Sequence, residues 1–279
     1  MGCQLNERAR RVIIPHMKTN YHTHTYRCKH AMGSDRKYVE AAIDGGFEVL
    51  GFSDHCPFPY KTGFKPDVRM ELWMLDDYLG SIRELRDEYA GKIDIKVGLE
   101  CEYFPEYIDW MLDMISEKQL NYVIFGNHNY PDDEACAFFG HSVKTPEMLD
   151  IYLESALRGM EYPIFSYMAH PDLFMRSYER FDEHCERASR LICEKAAALS
   201  LPLEYNISGS LHKSEGGDGF PHPRFWQIAA ENGCECIIGY DAHDSKRLND
   251  ERSYELYTAA LADIKRLGLK RRETIRLLR

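Results

Sequence analysis

The hydrophobic positions of this chain fall into two spacings that follow each other in turn. Seven short apolar runs, many of them rich in Val, Ile, Tyr and Phe, are typical of buried strands. Between and after these runs, longer segments carry apolar residues at helical spacing. The predicted strands are Thr19–His24, Phe47–Ser53, Ile93–Leu99, Tyr122–Gly126, Ile164–Ala169, Leu203–Ile207 and Glu235–Tyr240. The predicted helices are Ser34–Ile43, Val68–Tyr89, Tyr107–Glu117, Thr145–Met160, Asp182–Leu199, Arg224–Glu231 and Tyr254–Leu267.

Strands and helices that alternate in this way predict a parallel sheet covered by helices. Seven such units favour a closed α/β barrel, and an open doubly wound sheet is the alternative. No Gly-x-Gly-x-x-Gly turn follows the first predicted strand and no P-loop occurs, which weakens nucleotide-binding folds. Because no linker-like stretch divides the chain, we expect a single domain over residues 1–279.

The charge balance narrows the classes of partner. A formal net charge of -10 argues against a general nucleic-acid or membrane-surface binder, since these partners attract basic faces. A small phosphorylated substrate stays compatible, because a metal site can supply local positive charge. The basic tail from Lys270 to Arg279 is interpreted as a solvated helix face rather than a nucleic-acid site.

Three observations predict a cytoplasmic protein. No stretch approaches the roughly 20 apolar residues that cross a bilayer. The apolar run Val12–Ile14, which follows several arginines, is too short for a signal peptide. The nine cysteines are an odd number without framework spacing, which favours reduced thiols. The oligomeric state stays open.

Polar side chains follow every predicted strand. Seven of the twelve histidines lie at or just after strand ends, together with several carboxylates. The carboxyl ends of the strands converge on one face of a barrel, where enzymes of this architecture keep their active sites. The residues concerned are His22, His24, His30, Asp54, His55, Glu100, His128, His170, Glu204, Asn206, Asp241 and His243. This joint pattern predicts a metal site.

Imidazole and carboxylate ligands suit zinc, iron or manganese. Seven histidines with Glu100 and Asp241 are too many for one ion, whereas three ions with Glu100 bridging two of them would use all nine ligands. Closely spaced ions favour hydrolysis, because they lower the pKa of a shared water and hold the attacking and leaving oxygens.

The same residues resemble the PHP (polymerase and histidinol phosphatase) superfamily over nearly the whole chain. The matching motifs are His22-x-His24, Asp54-His55, Glu100, His128, His170 and Asp241-x-His243. Tyr-His-Thr-His-Thr, Gly-Asn-His, Ala-His-Pro-Asp-Leu and Glu-Tyr-Asn-Ile-Ser-Gly look most like the stand-alone histidinol-phosphate phosphatases. The resemblance implies a distorted (β/α)7 TIM-like barrel with a metal site at the C-terminal ends of its strands. It also implies hydrolysis of L-histidinol phosphate in histidine biosynthesis.

Carried over by position, the resemblance implies three divalent ions, with zinc, manganese and iron all compatible. The three ligand sets are His22, His24, Glu100 and Asp241 for the first ion, Glu100, His128 and His170 for the second, and His30, His55 and His243 for the third. The segment Asp132–His141 is where substrate choice could depart from the family's.

Asp54, Glu100 and Asp241 are the predicted catalytic residues, in a phosphomonoester hydrolysis by in-line attack of a water that the ions activate. Asp54 could relay a proton or hold the second nitrogen of a histidine. Cys28 and Cys56 are interpreted as bystanders.

The phosphate also needs cations, and Arg suits bidentate contact best. Arg176 is therefore the first candidate for substrate binding, with Arg27, Lys61 and Lys213 as further loop cations. Glu204 and Asn206 could contact the substrate's polar groups or order the mouth of the barrel.

Two other functions stay open. The first is a PHP phosphoesterase that acts on a nucleotide or another small phosphoester. The second is a non-catalytic metal-binding protein, for which missing ligands would be expected.

Overall fold

The computed structural model describes residues 18–216 and 219–278. Eight parallel strands form one sheet in the order of the chain. The strands are β1 Thr19–Asn20, β2 Val49–His55, β3 Asp94–Cys101, β4 Tyr122–Phe125, β5 Phe165–Met168, β6 Leu203–Asn206, β7 Glu235–Gly239 and β8 Lys270–Arg271. The helices are α1 Asp35–Asp44, α2 Leu75–Glu88, α3 Ile108–Glu117, α4 Phe139–Ser142, α5 Pro146–Gly159, α6 Glu183–Leu199, α7 Ile207–Ser214, α8 Pro223–Glu231 and α9 Glu251–Leu267.

The sheet curls until its first and seventh strands meet. Thr23, just beyond β1, forms a parallel bridge with Ala242, just beyond β7. The amide of His24 donates to Ala242 O at 3.0 Å, and the amide of Ala242 donates to His22 O at 3.1 Å. The predicted TIM-like barrel is therefore confirmed, and the open doubly wound alternative is wrong.

Local differences from the prediction have local causes. The regular part of β1 ends at Asn20, because the Asn20 side chain takes the amide of His22 at 3.2 Å. Residues 68–71 are not helical, and α2 begins only at Leu75 after a short 3₁₀ helix. The helices α4 and α7 and the strand β8 were not predicted.

Two apolar clusters hold the barrel together. The larger one lies between the sheet and the helices and extends along the chain from Tyr38 to Leu269. The smaller one fills the barrel and includes Tyr21, Tyr122 and Tyr167. The Tyr122 hydroxyl donates to Tyr21 O at 2.8 Å and lies 3.0 Å from Phe52 O, so even its polar atom is satisfied inside the barrel.

The C-terminal tail closes the amino-terminal end of the barrel. After β8, the Thr19 hydroxyl donates to Glu273 O and the Ser166 hydroxyl donates to Arg276 O, both at 2.7 Å. Ile275 packs against the cluster inside the barrel. The interpretation of this tail as a solvated helix face is wrong. Lys270 and Arg271 continue the sheet as β8, and Ile275 packs against the barrel interior.

Other expectations are only partly addressed by the described residues. Within them, no helix is long and apolar enough to cross a membrane. All eight cysteines in the described part of the chain are free thiols. The arginines and the Val12–Ile14 run near the N-terminus lie outside the described residues. The single-domain boundary stays a prediction.

Candidate metal centre

All nine predicted ligands lie at the carboxyl end of the barrel, around Glu100. Glu100 is the last residue but one of β3, its side chain is fully buried, and the β2–β3 register pairs it with His55. One carboxylate oxygen, Oε2, lies 3.4 Å from His22 Nε2 and 3.0 Å from His55 Nδ1. The other, Oε1, lies 3.0 Å from His170 Nε2. The carboxylate therefore stands between two groups of imidazoles, as a bridging ligand would.

The first donor set consists of His22, His24, Glu100 and Asp241. His22 Nε2 and His24 Nε2 are 3.1 Å apart. Asp241 Oδ1 lies 3.5 Å from the first of these nitrogens and 3.2 Å from the second, and Glu100 Oε2 lies 3.6 Å from the second. Four donors about 2.0–2.1 Å from one tetrahedral ion lie about 3.3 Å from one another. The spacing of this set therefore fits a single ion.

The second donor set consists of Glu100, His128 and His170. The two imidazole Nε2 atoms are 3.0 Å apart, and they lie 3.5 and 3.0 Å from Glu100 Oε1. Three donors at this spacing leave a fourth position open, which is the arrangement of catalytic rather than structural metal sites.

The third predicted set is looser. The ring centroids of His30, His55 and His243 lie 4.5 to 6.2 Å apart. Donor atoms of His24, His55 and His243 lie within reach of one common ion, and so do those of Cys28, His30 and His243. This group could hold a metal ion, but its spacing does not single out one set of ligands.

Buried carboxylates hold the far nitrogens of three of these imidazoles. His22 Nδ1 lies 2.8 Å from Glu204 Oε1, and His128 Nδ1 lies 2.6 Å from Glu102 Oε1. A carboxylate can only accept, so each Nδ1 donates and each Nε2 is left free to face the donor sets. His24 Nδ1 has a longer contact of 3.4 Å with Asp54 Oδ1.

The donor atoms fit cations better than they fit one another. His22 Nε2 and His24 Nε2 face each other although neither has a proton to share when both Nδ1 atoms donate. Four atoms of the site have no hydrogen-bond partner in the described part of the chain, although buried polar groups are almost always paired. They are His55 Nδ1 and Glu100 Oε2, which lie 3.0 Å apart without the geometry of a hydrogen bond, and His170 Nδ1 and His243 Nε2. Metal ions would satisfy the unpaired atoms of His55, Glu100 and His243, whereas His170 Nδ1 is the ring nitrogen outside the second donor set.

Glu100 and His55 have the protonation tendencies of metal ligands, whereas His22 has the opposite tendency because carboxylates surround it. Burial lowers the pKa of His22, but nearby carboxylates, Glu204 first, outweigh it and raise that pKa well above its usual value. Burial would raise the pKa of Glu100, yet the surrounding histidines, His128 first, hold it well below its usual range. Burial lowers the pKa of His55 well below its usual value. The site therefore combines an ionised central carboxylate with an outer imidazole that stays neutral, as metal ligands must be.

Two of the predicted ligands have a positive backbone φ, and one of them is strained. Asp241 has a φ of 49°, which aspartate adopts more readily than most residues, whereas His170 has a φ of 28°, outside the allowed left-handed region. Such strain, about 1–3 kcal/mol per residue, persists where the surrounding structure enforces it and is typical of functional sites. Two glycines make room nearby, because a Cβ on Gly239 would overlap Glu204 Oε1 and one on Gly126 would lie 2.7 Å from Glu100 Oε1.

A cavity of about 590 Å³ opens above the site. Six of the predicted ligands line it, namely His30, His55, His128, His170, Asp241 and His243. Arg176 lines the same cavity and forms no ion pair with a described residue, while its guanidinium lies 5.7 Å from the Phe138 ring. Burial lowers the pKa of Arg176, which remains a cation. The structure therefore places one of the predicted phosphate-binding cations beside the donor sets.

The other predicted cations do not face this cavity. Arg27 is buried and paired with Asp35 at 2.9 Å and Asp77 at 2.8 Å, so its charge is already neutralised. Lys213 lines a different cavity and donates to Pro221 O at 3.3 Å. Lys61 is 73% exposed and paired with Glu106. The structure therefore does not bring these three residues into the cavity, because tertiary partners or distance keep them elsewhere.

Asp54 has no free face toward the cavity. Its oxygens take the amide and hydroxyl of Thr25, the amide of His55 and, at 3.4 Å, His24 Nδ1. These contacts favour a role in holding a histidine over a proton relay.

Sequence reasoning missed Glu102 and left the role of Glu204 open. Glu204 Oε2 takes the amide of His170 at 3.1 Å and the side-chain amide of Asn206 at 2.9 Å, besides holding His22. A signal for Glu102 was present in the sequence, because successive side chains of a strand alternate in direction. Glu102 lies two positions from Glu100, and therefore on the same face of the chain.

Comparison with known proteins gives consistent results. The PHP domain family model matches residues 20–206, which is more than half of the chain. A probable histidinol-phosphatase of Deinococcus radiodurans is 28% identical over 229 residues, covering 80% of this chain and 85% of that protein. A probable histidinol-phosphatase of Schizosaccharomyces pombe is 23% identical over 251 residues, covering 81% of each chain.

A solved structure shares the fold. The histidinol phosphate phosphatase of Lactococcus lactis, crystallised with zinc, L-histidinol and phosphate, superposes with a TM-score of 0.72. The match covers 94% of this chain and 99% of that one at 22% sequence identity.

Proposed function

This chain belongs to the PHP domain family, and we propose that it is a metal-dependent phosphomonoesterase that hydrolyses L-histidinol phosphate to L-histidinol and phosphate. The observation that carries the proposal is the convergence of two closely spaced donor sets on Glu100, beneath a cavity that also contains Arg176. The relatives from Deinococcus radiodurans and Schizosaccharomyces pombe, both described as probable histidinol-phosphatases, support the choice of substrate. The reaction would belong to histidine biosynthesis.

We assign three divalent ions to this site, in the sets His22, His24, Glu100 and Asp241, then Glu100, His128 and His170, then His30, His55 and His243. Bound ions would supply Lewis acidity and a water of lowered pKa. Zinc is the first choice among zinc, manganese and iron, because imidazole and carboxylate donors suit it and the Lactococcus lactis relative was crystallised with it.

The chain's own residues bind and orient the phosphate. Arg176 offers a planar fork of donors that matches two phosphate oxygens at once. The Phe138 ring lies near one side of this guanidinium and lowers its exposure to water, which strengthens its attraction for an anion. Glu102, Glu204 and Asp54 hold histidines in fixed orientations, so the donor sets need little rearrangement during the reaction.

The cavity also suits a cationic leaving group. L-Histidinol bears an ammonium group, and three aspartates line the cavity. Asp241 belongs to the first donor set, and Asp133 is paired with Arg69 at 2.7 Å. Asp67 forms no ion pair with any described residue, so we assign it to the substrate's ammonium group.

Elemental analysis of the purified protein, combined with phosphate release from L-histidinol phosphate with and without added zinc or manganese, tests the proposal. We expect two to three transition-metal ions per chain and turnover that Glu100→Gln abolishes together with most of the bound metal. Absence of bound metal after reconstitution would refute the site. Metal without turnover would refute the substrate and direct the search to nucleotides and other phosphoesters.

Asp67→Asn tests the assignment of the leaving group. We expect KM for L-histidinol phosphate to rise about tenfold, and KM for a phosphoester without an amine to stay the same. Asp113→Asn, which changes an exposed carboxylate of α3 outside the cavity, is the matched control. Equal effects of Asp67→Asn on both substrates would show that Asp67 does not recognise the ammonium group.

A further inference from the structure

A buried arginine, Arg69, forms part of the wall of the cavity. The side chain of Arg69 is 1% exposed, although the segment before α2 that carries it is largely at the surface. Its Nε donates to Asp133 Oδ2 at 2.7 Å and its Nη1 donates to Cys56 O at 3.0 Å. Its Nη2 lies 3.4 Å from Glu102 Oε1. One cation thus contacts three segments of the chain that follow β2, β3 and β4.

On one side, this arginine is next to the carboxylate that holds a predicted metal ligand. Glu102 is fully buried, and it takes both the amide of His128, at 3.0 Å, and the Nδ1 of the same residue, at 2.6 Å. These two bonds direct His128 Nε2 toward Glu100 Oε1 and His170 Nε2. The position of Glu102 therefore sets the position of His128.

On the other side, the arginine holds the cavity wall. Asp133 belongs to the loop between β4 and α4, from which Asn129, Cys136 and Phe138 also line the cavity. Its second oxygen accepts the hydroxyl of Tyr60. In the described part of the chain, Asp133 has no ion-pair partner other than Arg69, so the guanidinium is the main electrostatic anchor of this loop.

We propose that Arg69 is a positioning residue that joins the metal ligand His128, through Glu102, to the cavity wall at Asp133. This inference deepens the proposed function, because the cavity wall and the metal ligand serve the same site. Substrate contacts with the loop between β4 and α4 would then change the position of His128 in the second donor set. Ordering of that donor set would in turn stabilise the loop.

The choice of arginine follows from the number of acceptors. A guanidinium has five donors in a rigid plane and reaches Asp133, Cys56 O and Glu102 at the same time. A lysine ammonium is a compact charge on a flexible stem and cannot keep all three contacts in this geometry. Arg69→Lys therefore preserves the charge and removes the positioning.

Zinc affinity, measured by competition with a chromophoric chelator, is the first readout. We expect Arg69→Lys and Glu102→Gln each to weaken the tightest zinc binding by about 10- to 100-fold, as is usual when a partner of a metal-bound histidine is lost. Because Arg69 acts through Glu102, the double variant should bind zinc no more weakly than Glu102→Gln alone. A purely structural arginine would instead add its effect to that of Glu102→Gln.

Asp133→Asn tests the other side and keeps the arginine in place. We expect faster proteolytic cleavage within residues 129–141, while zinc affinity falls less than in Glu102→Gln. Arg69→Lys should cause the same increase in cleavage. Proteolytic cleavage of Asp133→Asn therefore tests the proposal even if Arg69→Lys does not fold.

Arg224→Lys is the matched control, because Arg224 also pairs with two carboxylates, Glu186 and Glu231, but lies away from the cavity. It should leave zinc affinity and cleavage unchanged. Zinc affinity in Arg69→Lys equal to that of the unchanged protein, or additive losses in the double variant, would overturn the proposal. Zinc binding without hydrolysis of L-histidinol phosphate would refute the proposed substrate only, since the zinc titrations do not depend on it.

Discussion

The two ends of this barrel use the same strands in opposite ways. At the carboxyl ends, imidazoles and carboxylates crowd around Glu100, several of their atoms have no hydrogen-bond partner among the described residues, and His170 has a strained backbone. At the amino ends, Tyr122 and the tail residue Ile275 help to close an apolar interior, and the hydroxyls of Thr19 and Ser166 find carbonyl partners.

The difference teaches where stability and function reside in this protein. Unpaired buried polar atoms and a strained backbone cost free energy of folding, so several of them around one carboxylate indicate that something other than stability is gained there. Satisfied polar atoms and buried apolar area lower the free energy of the folded state. Changes at the carboxyl ends should therefore alter binding and turnover, and changes at the amino ends should alter unfolding.

Arg176→Ala should have the largest effect. It removes the cation in the cavity that has no ion-pair partner among the described residues, and kcat/KM should fall by about 100-fold or more with little change in the unfolding temperature. Lys61→Ala, at an exposed residue paired outside the cavity, should leave kcat/KM unchanged. Equal activity of Arg176→Ala and the unchanged protein would show that the phosphate binds without this residue.

Gly239→Ala should come next. The added methyl group would overlap Glu204 Oε1, displace the carboxylate that holds His22, and weaken zinc binding by about 10- to 100-fold. Gly91→Ala places a methyl group where no atom lies within 4 Å and should leave zinc binding unchanged, although its positive φ costs stability. Tight zinc binding by Gly239→Ala would mean that Glu204 does not position His22.

Ile275→Ala should reverse the pattern of the first two variants. It removes apolar contacts with the interior at the amino end and should lower the free energy of unfolding by about 1–2 kcal/mol, measured by urea denaturation. Zinc affinity should stay the same. Leu277→Ala, at a residue 41% exposed in the same tail, should change stability by less than about 0.5 kcal/mol. A loss of zinc affinity in Ile275→Ala would break the separation between the two ends.

Lys18→Met should have the smallest effect, with a characteristic pH dependence. Burial lowers the pKa of Lys18 to about 8, so folding disfavours its charge. This penalty is fully present below about pH 8 and disappears as the pH rises toward the unfolded value of about 10.4. Since methionine removes the penalty but loses the bond to Gly45 O, we expect a gain of about 1 kcal/mol at pH 7. The same unfolding temperature shift at pH 7 and pH 10 would contradict this.

Much of the fold was predictable because its signals are local. Thr145 followed by Pro146 predicts a helix start, and the Thr145 side chain does cap α5 by accepting the amide of Met148. Helix α7 was missed because Ile207 continues the apolar run of β6. Asn206 caps α7 by accepting the amide of Gly209, and an asparagine at that place was a usable signal.

The predicted ligands were placed together by the fold, whereas the predicted cations were not. A parallel barrel brings every strand's carboxyl end to one face, so a position at a strand end is enough to predict convergence. A loop cation has no such rule. Arg27 follows β1, yet Asp35 and Asp77, which are 8 and 50 positions away, take its guanidinium.

The sequence by itself determined the barrel, the face to which strand-end residues converge, and the candidate donor residues, because hydrophobic spacing and strand alternation are properties of neighbouring positions. Only the tertiary structure decided which ring nitrogen of His22 and of His128 donates to a buried carboxylate. Glu204 reaches His22 across 182 positions, and Glu102 reaches His128 across 26. Hydrogen bonds form at about 3 Å or not at all, so their partners depend on distances in space that no spacing along the chain contains.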